Sequence, residues 1–409
     1  MTSQDFLWGA ATAAHQVEGG NENDWTRWEE KYAEQLAATA PEAYCDVPVW
    51  DEIAEKATDP DNYRSGRAVD HWNRYEEDIE HLDELGLDAY RFSIEWSRVQ
   101  PSPGSFDEDA IQHYQDLIQE LQEHDIEPIV TLWHFTNPQW FVDKGGWRQE
   151  DAPQQFQDYV DRMVDEFGDD VSYWVTLNEP VGYVYHTYWK DSWLDRETGL
   201  VPTYRASKNV IEAHKTAYST IKDSHPDAQV GTANNITYFE PYDDSPVNRA
   251  FTWLFEQLER GIFLRQTLEH QDFIGVNYYL HRQVDYRFRN DDSRDESDMG
   301  WDLSPEGFGQ VLHQLAAYDR PILVTEHGVA DMDDTKRAEY IEESIDELRD
   351  AIKDGVDVRG YLHWSLLDNF EWDKGRWPRF GLIEVDYDTL ERRVRDSARR
   401  YADLVEEGL

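Results

Sequence analysis

Two glutamates stand where apolar runs stop. Glu179 closes the run in VTLNEP (175–180) and Glu326 the run in VTEHG (324–328), so each places an ionisable group where a buried strand should end. Paired carboxylates amid hydroxyl-binding and aromatic groups suit glycoside cleavage, in which one must protonate and the other must attack. The accompanying types are present. Gln16, His134, Asn178 and Glu371 offer directional hydrogen bonds to hydroxyls, and Trp133, Trp364 and Trp372 offer flat apolar faces for sugar C–H groups. Each also has a plainer reading on its own: NEP as a turn, a tryptophan or His134 as core, Arg91 as a structural partner of a barrel carboxylate. Rival chemistries find less support. The chain has 14 histidines, but His134 and His327 belong to no HExxH-like ligand pair, and no GxSxG elbow surrounds Ser365, so neither a metal nor any other cofactor is expected.

Carboxylates far apart in sequence act together only if the fold gathers them. Short apolar runs at Phe6–Ala10, Ala89–Ile94, Pro128–Leu132, Tyr173–Leu177, Gln229–Ala233, Phe273–Asn277, Ile322–Thr325 and Val358–His363 read as eight strands. Amphipathic helices lie between them, for example Trp72, Tyr75, Ile79 and Leu82 on one face, Ile111, Tyr114, Ile118 and Leu121 on another, and Ile341, Ile345, Leu348 and Ile352 on a third. Eight such units predict a (β/α)8 TIM barrel; an open doubly wound sheet is the weaker competitor and lacks its glycine fingerprint. In a barrel the strand ends meet on one face. HQ, EW, HF, NEP, NYY and EHG follow six of the strands, so Gln16, His134, Asn178, Glu179, Asn277, Tyr279 and Glu326 should converge on one cleft. Residues 20–68 and 282–304 are expected as irregular top-face insertions, and no linker divides the chain, which predicts one catalytic domain over 1–409.

The bulk composition narrows the setting. With 86 acidic and 38 basic residues the formal charge is −48, which repels nucleic acid and anionic membranes. A disordered acidic chain is excluded by 17 Trp, 23 Tyr and 16 Phe. Acidic excess with arginine favoured over lysine predicts adaptation to concentrated salt, where self-repulsion is screened. No apolar stretch of membrane-spanning length and no secretory signal character are evident, and Cys45 is the only cysteine, so a cytoplasmic location is expected.

The motifs together resemble glycoside hydrolase family 1, the retaining β-glycosidases, over nearly the whole chain. FLWGAATAAHQVEG (6–19), YRFSIEWSR (90–98), TLNEP (176–180), NYY (277–279), VTEHG (324–328), HWSLLDNFEW (363–372) and RFGLIEVD (379–386) carry the likeness, and EWSR is reminiscent of archaeal members. The resemblance implies Glu179 as general acid/base and Glu326 as nucleophile, with Arg91, Tyr279 and Asn277 supporting Glu326, and Arg91 and Tyr279 lowering its pKa. It implies Gln16, His134, Trp133, Asn178, Trp364, Glu371, Trp372 and Phe380 around the sugar, which would be an oligosaccharide or small β-glycoside. Glucosides, galactosides and fucosides all fit such a set. Intact Glu371 and Trp372 argue against phosphorylated sugars, and intact Glu179 against a myrosinase-like exchange. A transglycosidase and a catalytically silent sugar-binding barrel are the alternatives. His327 replaces the usual asparagine of TENG, and is expected to alter hydrogen bonding beside the nucleophile.

Overall fold

The computed structural model describes residues 6–289 and 294–409; residues 1–5, read above for signal character, and 290–293 of the acidic 282–304 insertion lie outside the described residues. Eight strands form the core: β1 Leu7–Ala11, β2 Ala89–Ser93, β3 Glu127–Thr131, β4 Tyr173–Asn178, β5 Gln229–Asn235, β6 Phe273–Tyr278, β7 Ile322–His327 and β8 Val358–Trp364. All pair in parallel with their sequence neighbours, and β1 pairs with both β2 and β8, closing the barrel. The open-sheet alternative is thereby excluded. The strands are near-continuously buried, as a parallel sheet covered on both faces must be.

The expected helices surround this ring. His71–Glu84, Glu108–Glu123 and Arg337–Lys353 bury Ile79 and Leu82, Ile111 to Leu121, and Ile341 to Leu348 respectively. Their starts follow local chemistry: the Asp107 carboxylate accepts the Ala110 N–H and caps the second of these helices.

The irregular insertion expected over 20–68 is mostly helical instead. Asp24–Ala43 forms a 20-residue helix capped by Asn23, followed by Trp50–Ala57 and a short 3-10 turn at Pro60–Tyr63. Its buried stripe runs Trp25, Trp28, Glu29, Ala33, Ala37 and Ala40. Three small alanines and a glutamate complete a stripe that large apolar residues alone do not reveal. In the second insertion, His281–Val284 pairs in parallel with Tyr238–Pro241 as a small ribbon above the barrel.

Register sets the top face. Asn235 of β5 lies beside Asn277 of β6, which lies beside Glu326 of β7, and Asn178 of β4 lies beside Ala233 of β5 after an irregularity in that ladder. Just past β7, Gly328 passes so close to β8 that an added Cβ would meet the Trp364 carbonyl oxygen at 1.7 Å. Only glycine permits that approach.

Candidate active site

Parallel strands leave their C-terminal ends on one face, and there a cavity of about 1190 Å3 opens, lined by ten of the thirteen predicted site residues: Gln16, His134, Asn178, Glu179, Tyr279, Glu326, Trp364, Glu371, Trp372 and Phe380. Arg91 and Asn277 lie fully buried beneath them. Trp133 is the exception. Its ring packs against Trp147 and Tyr183 while its Nε1 donates to Asn137, so it belongs to the wall behind the site rather than to the cavity.

Glu326, the last inward-facing residue of β7, is held from two sides. Arg91 Nη1 donates to Oε1 at 2.7 Å and the Tyr279 hydroxyl donates to Oε2 at 2.8 Å. Arg91 is itself fixed: its Nε donates to Thr131, Nη1 also to the Thr325 carbonyl, and Nη2 to Asn178 Oδ1. Burial raises the Glu326 pKa, and Arg91, Tyr279 and Asn277 oppose that rise without cancelling it. The expected lowering is thus present as an opposing influence, and the net displacement is upward.

Glu179 lies where β4 gives way to the helical turn Pro180–Val184, with left-handed backbone at φ 41°. That conformation is unusual for a side-chain-bearing residue and turns the carboxyl into the cavity. Asn277 Nδ2 donates to Oε1 at 2.8 Å and Asn235 Nδ2 donates to Oε2 at 3.1 Å. Burial, then the Glu326 charge, push its pKa up to about 7. Asn277, expected behind Glu326, therefore also anchors the other carboxyl. Asn235 was missed, although NN at the end of β5 is the same signal as NEP at the end of β4.

The surrounding groups fit a polyhydroxylated ligand. His134 is stacked between Trp364 and Trp372, with ring centroids 5.9 and 6.0 Å away. Burial and the Arg91 charge hold its pKa well below the ordinary value, so the ring is neutral. Asn178 Nδ2 donates to His134 Nε2 at 3.1 Å, which leaves Nδ1 as the protonated nitrogen. His134 Nδ1 and Gln16 Oε1 are buried atoms without a protein partner. Both residues line the cavity, and an unpaired donor and acceptor there suit the hydroxyl groups of a ligand. Gln16 Nε2 is occupied by Asn369, the Phe370 carbonyl and Glu371. Burial pushes Glu371 to about 8, above Glu179.

Behind Trp372, two elements went unread in the sequence. His15 stacks on it at 5.5 Å and is paired through Nε2 with Glu29 at 2.6 Å, while Trp25 packs against Trp372 in a tilted contact at 4.7 Å. Both Trp25 and Glu29 come from helix Asp24–Ala43. Their signal was the WTRWEE spacing.

His327 does not touch the Glu326 carboxyl. Successive residues of a strand face opposite ways, so its ring lies outside the barrel among Tyr278, Phe308 and Tyr340, with Nδ1 2.8 Å from the Tyr361 hydroxyl. Burial alone takes its pKa to about 3. The exchange, expected to leave the chemistry intact but to alter hydrogen bonding beside Glu326, makes its hydrogen bond to Tyr361 on the helix-facing side of the barrel instead.

Among the described residues no group of three or more His, Cys, Asp or Glu is arranged to hold a metal ion, and no helix is long and apolar enough to cross a membrane.

Comparison with known proteins agrees with this geometry. A family model described as glycosyl hydrolase family 1 matches residues 2–270 and 263–408. Beta-glucosidase A of Thermotoga maritima is 32% identical over 98% of this chain and 97% of its own length. A beta-glycosidase structure from Pyrococcus horikoshii superposes with a TM-score of 0.86 at 34% identity, covering 98% of this chain and 94% of that one. A beta-glucosidase structure from Thermotoga maritima in complex with glucoimidazole also gives 0.86, at 29% identity and 99% coverage of both chains.

Proposed function

The chain belongs to glycosyl hydrolase family 1 and is a retaining β-glycosidase, and from that premise we propose that Glu326 is its nucleophile and Glu179 its acid/base. The observation that carries the assignment is the asymmetry of the pair: Glu326 accepts hydrogen bonds from a guanidinium and a phenol, whereas Glu179 has only two amide donors and a pKa near 7. Donors of that strength favour the ionised form of Glu326, and burial beside its charge favours the protonated form of Glu179.

The cycle follows from these states. Glu326 attacks the anomeric carbon as Glu179 gives its proton to the departing oxygen, forming a covalent glycosyl-enzyme. Glu179, now ionised, takes a proton from water as that water displaces Glu326 and restores the anomeric configuration. His134 Nδ1, Gln16 Oε1 and Glu371 would bind sugar hydroxyls, with Trp364, Trp372 and Phe380 enclosing the ring.

The relatives named as beta-glucosidases support a β-glucoside as the substrate. No feature of the site favours a silent binder or a dedicated transglycosidase. The charge of −48 supports operation at high salt, and a lone, exposed Cys45 is compatible with a cytoplasmic setting.

The deciding experiment uses p-nitrophenyl β-D-glucoside. Glu326→Gln should lose at least about 10³-fold in kcat, and Glu179→Ala should recover turnover with added azide, giving the β-glucosyl azide. Near-full activity in Glu326→Gln, or no azide product from Glu179→Ala, would overturn the roles.

A further inference from the structure

Helix Pro246–Ile262 is built inside out. Its buried residues are polar, namely Asn248, Thr252 and Arg260, while Val247, Phe251, Leu254, Phe255, Leu258 and Ile262 are 41 to 53% exposed. Spacings of three and four put those six on one face. Hydrogen bonds fix the orientation. Asn248 Nδ2 donates to Asp243 and Asp285 and its Oδ1 accepts the Tyr286 N–H; the Glu259 carboxylate accepts the Thr237 N–H; Arg260 donates to Gln314. The polar side is consumed in fastening the helix to the body of the protein, so no rotation can hide the apolar side. The family match breaks into its two pieces at 263–270, directly after this helix, and the alignment with the Thermotoga maritima enzyme runs to 458 positions against a chain of 409 residues. That relative therefore carries residues with no counterpart here, and a connection shortened at the break would leave this face without a cover.

Size, charge and symmetry point to the occupant. Six large side chains, each nearly half open, present roughly 500 Å2 of apolar surface. That is at the upper end of the about 300 to 600 Å2 of a monomer's largest patch, and more than half of the about 800 Å2 that a standard interface takes from each partner. With 86 acidic and 38 basic residues in each, two copies repel over most of their surface. This helix is the exception. Arg249 and Arg260 balance Glu256 and Glu259, and helix Leu200–Ser224, which lines the same cavity, carries four basic residues against two acidic. Val247 and Ile262, Phe251 and Leu258, and Leu254 and Phe255 lie at equal distances either side of one midpoint. Laid antiparallel on a copy of itself, the stripe meets an apolar residue at every step, which is what a two-fold contact requires.

We propose that a second copy of the chain covers this face, with the two Pro246–Ile262 helices packed antiparallel about a two-fold axis between Leu254 and Phe255. Phe251 of each copy then lies against Leu258 of the other. Phe255, Leu258 and Ile262 also line the active-site cavity, so the partner helix borders that cavity in each copy. Apolar burial drives the contact, and the repulsion between two bodies of charge −48 opposes it. Salt screens the repulsion and strengthens apolar burial, so the dimer tightens as salt rises.

The test is sedimentation equilibrium of the whole chain from decimolar to molar KCl. Expected is a dimer whose dissociation constant falls by at least about tenfold across that range. Phe251 and Leu254 are exposed, so Phe251→Gln/Leu254→Gln should keep the circular dichroism of the parent and sediment as a monomer at every salt concentration. The register is tested in a Cys45→Ser background. On oxidation Phe251→Cys/Leu258→Cys should be joined by disulfides between chains, whereas Phe251→Cys alone should not, because its two copies stand about 10 Å apart along the helix axis. A monomer at every salt concentration, a dimer that the glutamine pair leaves intact, or one that weakens as salt rises overturns the proposal. So does cross-linking that fails in the double cysteine variant or succeeds equally in the single one. A monomer that binds neutral phosphatidylcholine vesicles, and loses that binding with the glutamine pair, assigns the face to a lipid surface and overturns the second copy.

Discussion

A retaining glycosidase asks one carboxyl to be an acid and then a base, and under the proposed roles the charge of Glu326 would switch Glu179 between the two. Glu179 moves from 4.5 to about 7, a preference for the neutral form of about 3 kcal/mol. Burial is the largest cause and the Glu326 charge the next. Two charges about 5.5 Å apart, the spacing retention requires, repel by about 1.5 to 3 kcal/mol at an effective dielectric of about 20 to 40. Glu326 therefore accounts for a sizeable part of the rise. Forming the glycosyl ester removes that charge, so the Glu179 pKa should fall in the intermediate and the carboxyl release its proton when a base is needed. The assay traps the intermediate with a 2-deoxy-2-fluoroglucosyl fluoride and follows the ¹³C-labelled carboxyl of Glu179, identified by its absence in Glu179→Gln, from pH 4 to 9. A Glu179 pKa that stays within about half a unit of its value in the free enzyme would refute the electrostatic switch. In the free enzyme the same ordering gives a bell-shaped kcat/KM, whose alkaline limb near pH 7 is loss of the Glu179 proton and whose acid limb is protonation of Glu326.

Two further outcomes follow from named contacts. Tyr279→Phe removes the 2.8 Å donor to Glu326 Oε2, a charge-assisted bond worth about 1.5 to 3 kcal/mol; kcat/KM should fall about 10- to 100-fold, and the acid limb should move to higher pH because the ionised form has lost a donor. Dialysis from molar to millimolar KCl should lower the melting temperature, because the −48 charge loses its screening; calorimetry across that range checks it, and an unchanged midpoint refutes salt adaptation.

The sequence was most informative where a strand ended on a polar group. Glu179, Asn277 and Glu326 were legible because buried strands do not otherwise finish on amides and acids, and parallel closure then brings such ends together whatever their distance along the chain. The helices that cover the barrel were legible for the complementary reason, since their apolar stripes repeat at three and four residues. Helix Asp24–Ala43 escaped because alanines and a paired glutamate fill its inner face. Glu29 is buried against His15 and Ser65, contacts that exist only after the chain has folded.

The tryptophans and His327 show what residue type leaves undecided. Trp133 and Trp364 both stand at the ends of strands, yet Trp364 lines the cavity stacked on His134 and Trp133 packs against Trp147 behind it. Which way a ring points depends on strand register and on irregularities in the ladder, and β7 carries one on each side near its end. For His327 the alternation of side chains along a strand was sufficient: with Glu326 fixed inward by Arg91, its neighbour had to face the helices. A histidine there need not form any bond to the catalytic carboxyl. It has instead to fill the space among Tyr278, Phe308 and Tyr340 and to meet the Tyr361 hydroxyl, so its effect on catalysis can pass only through the position of β7.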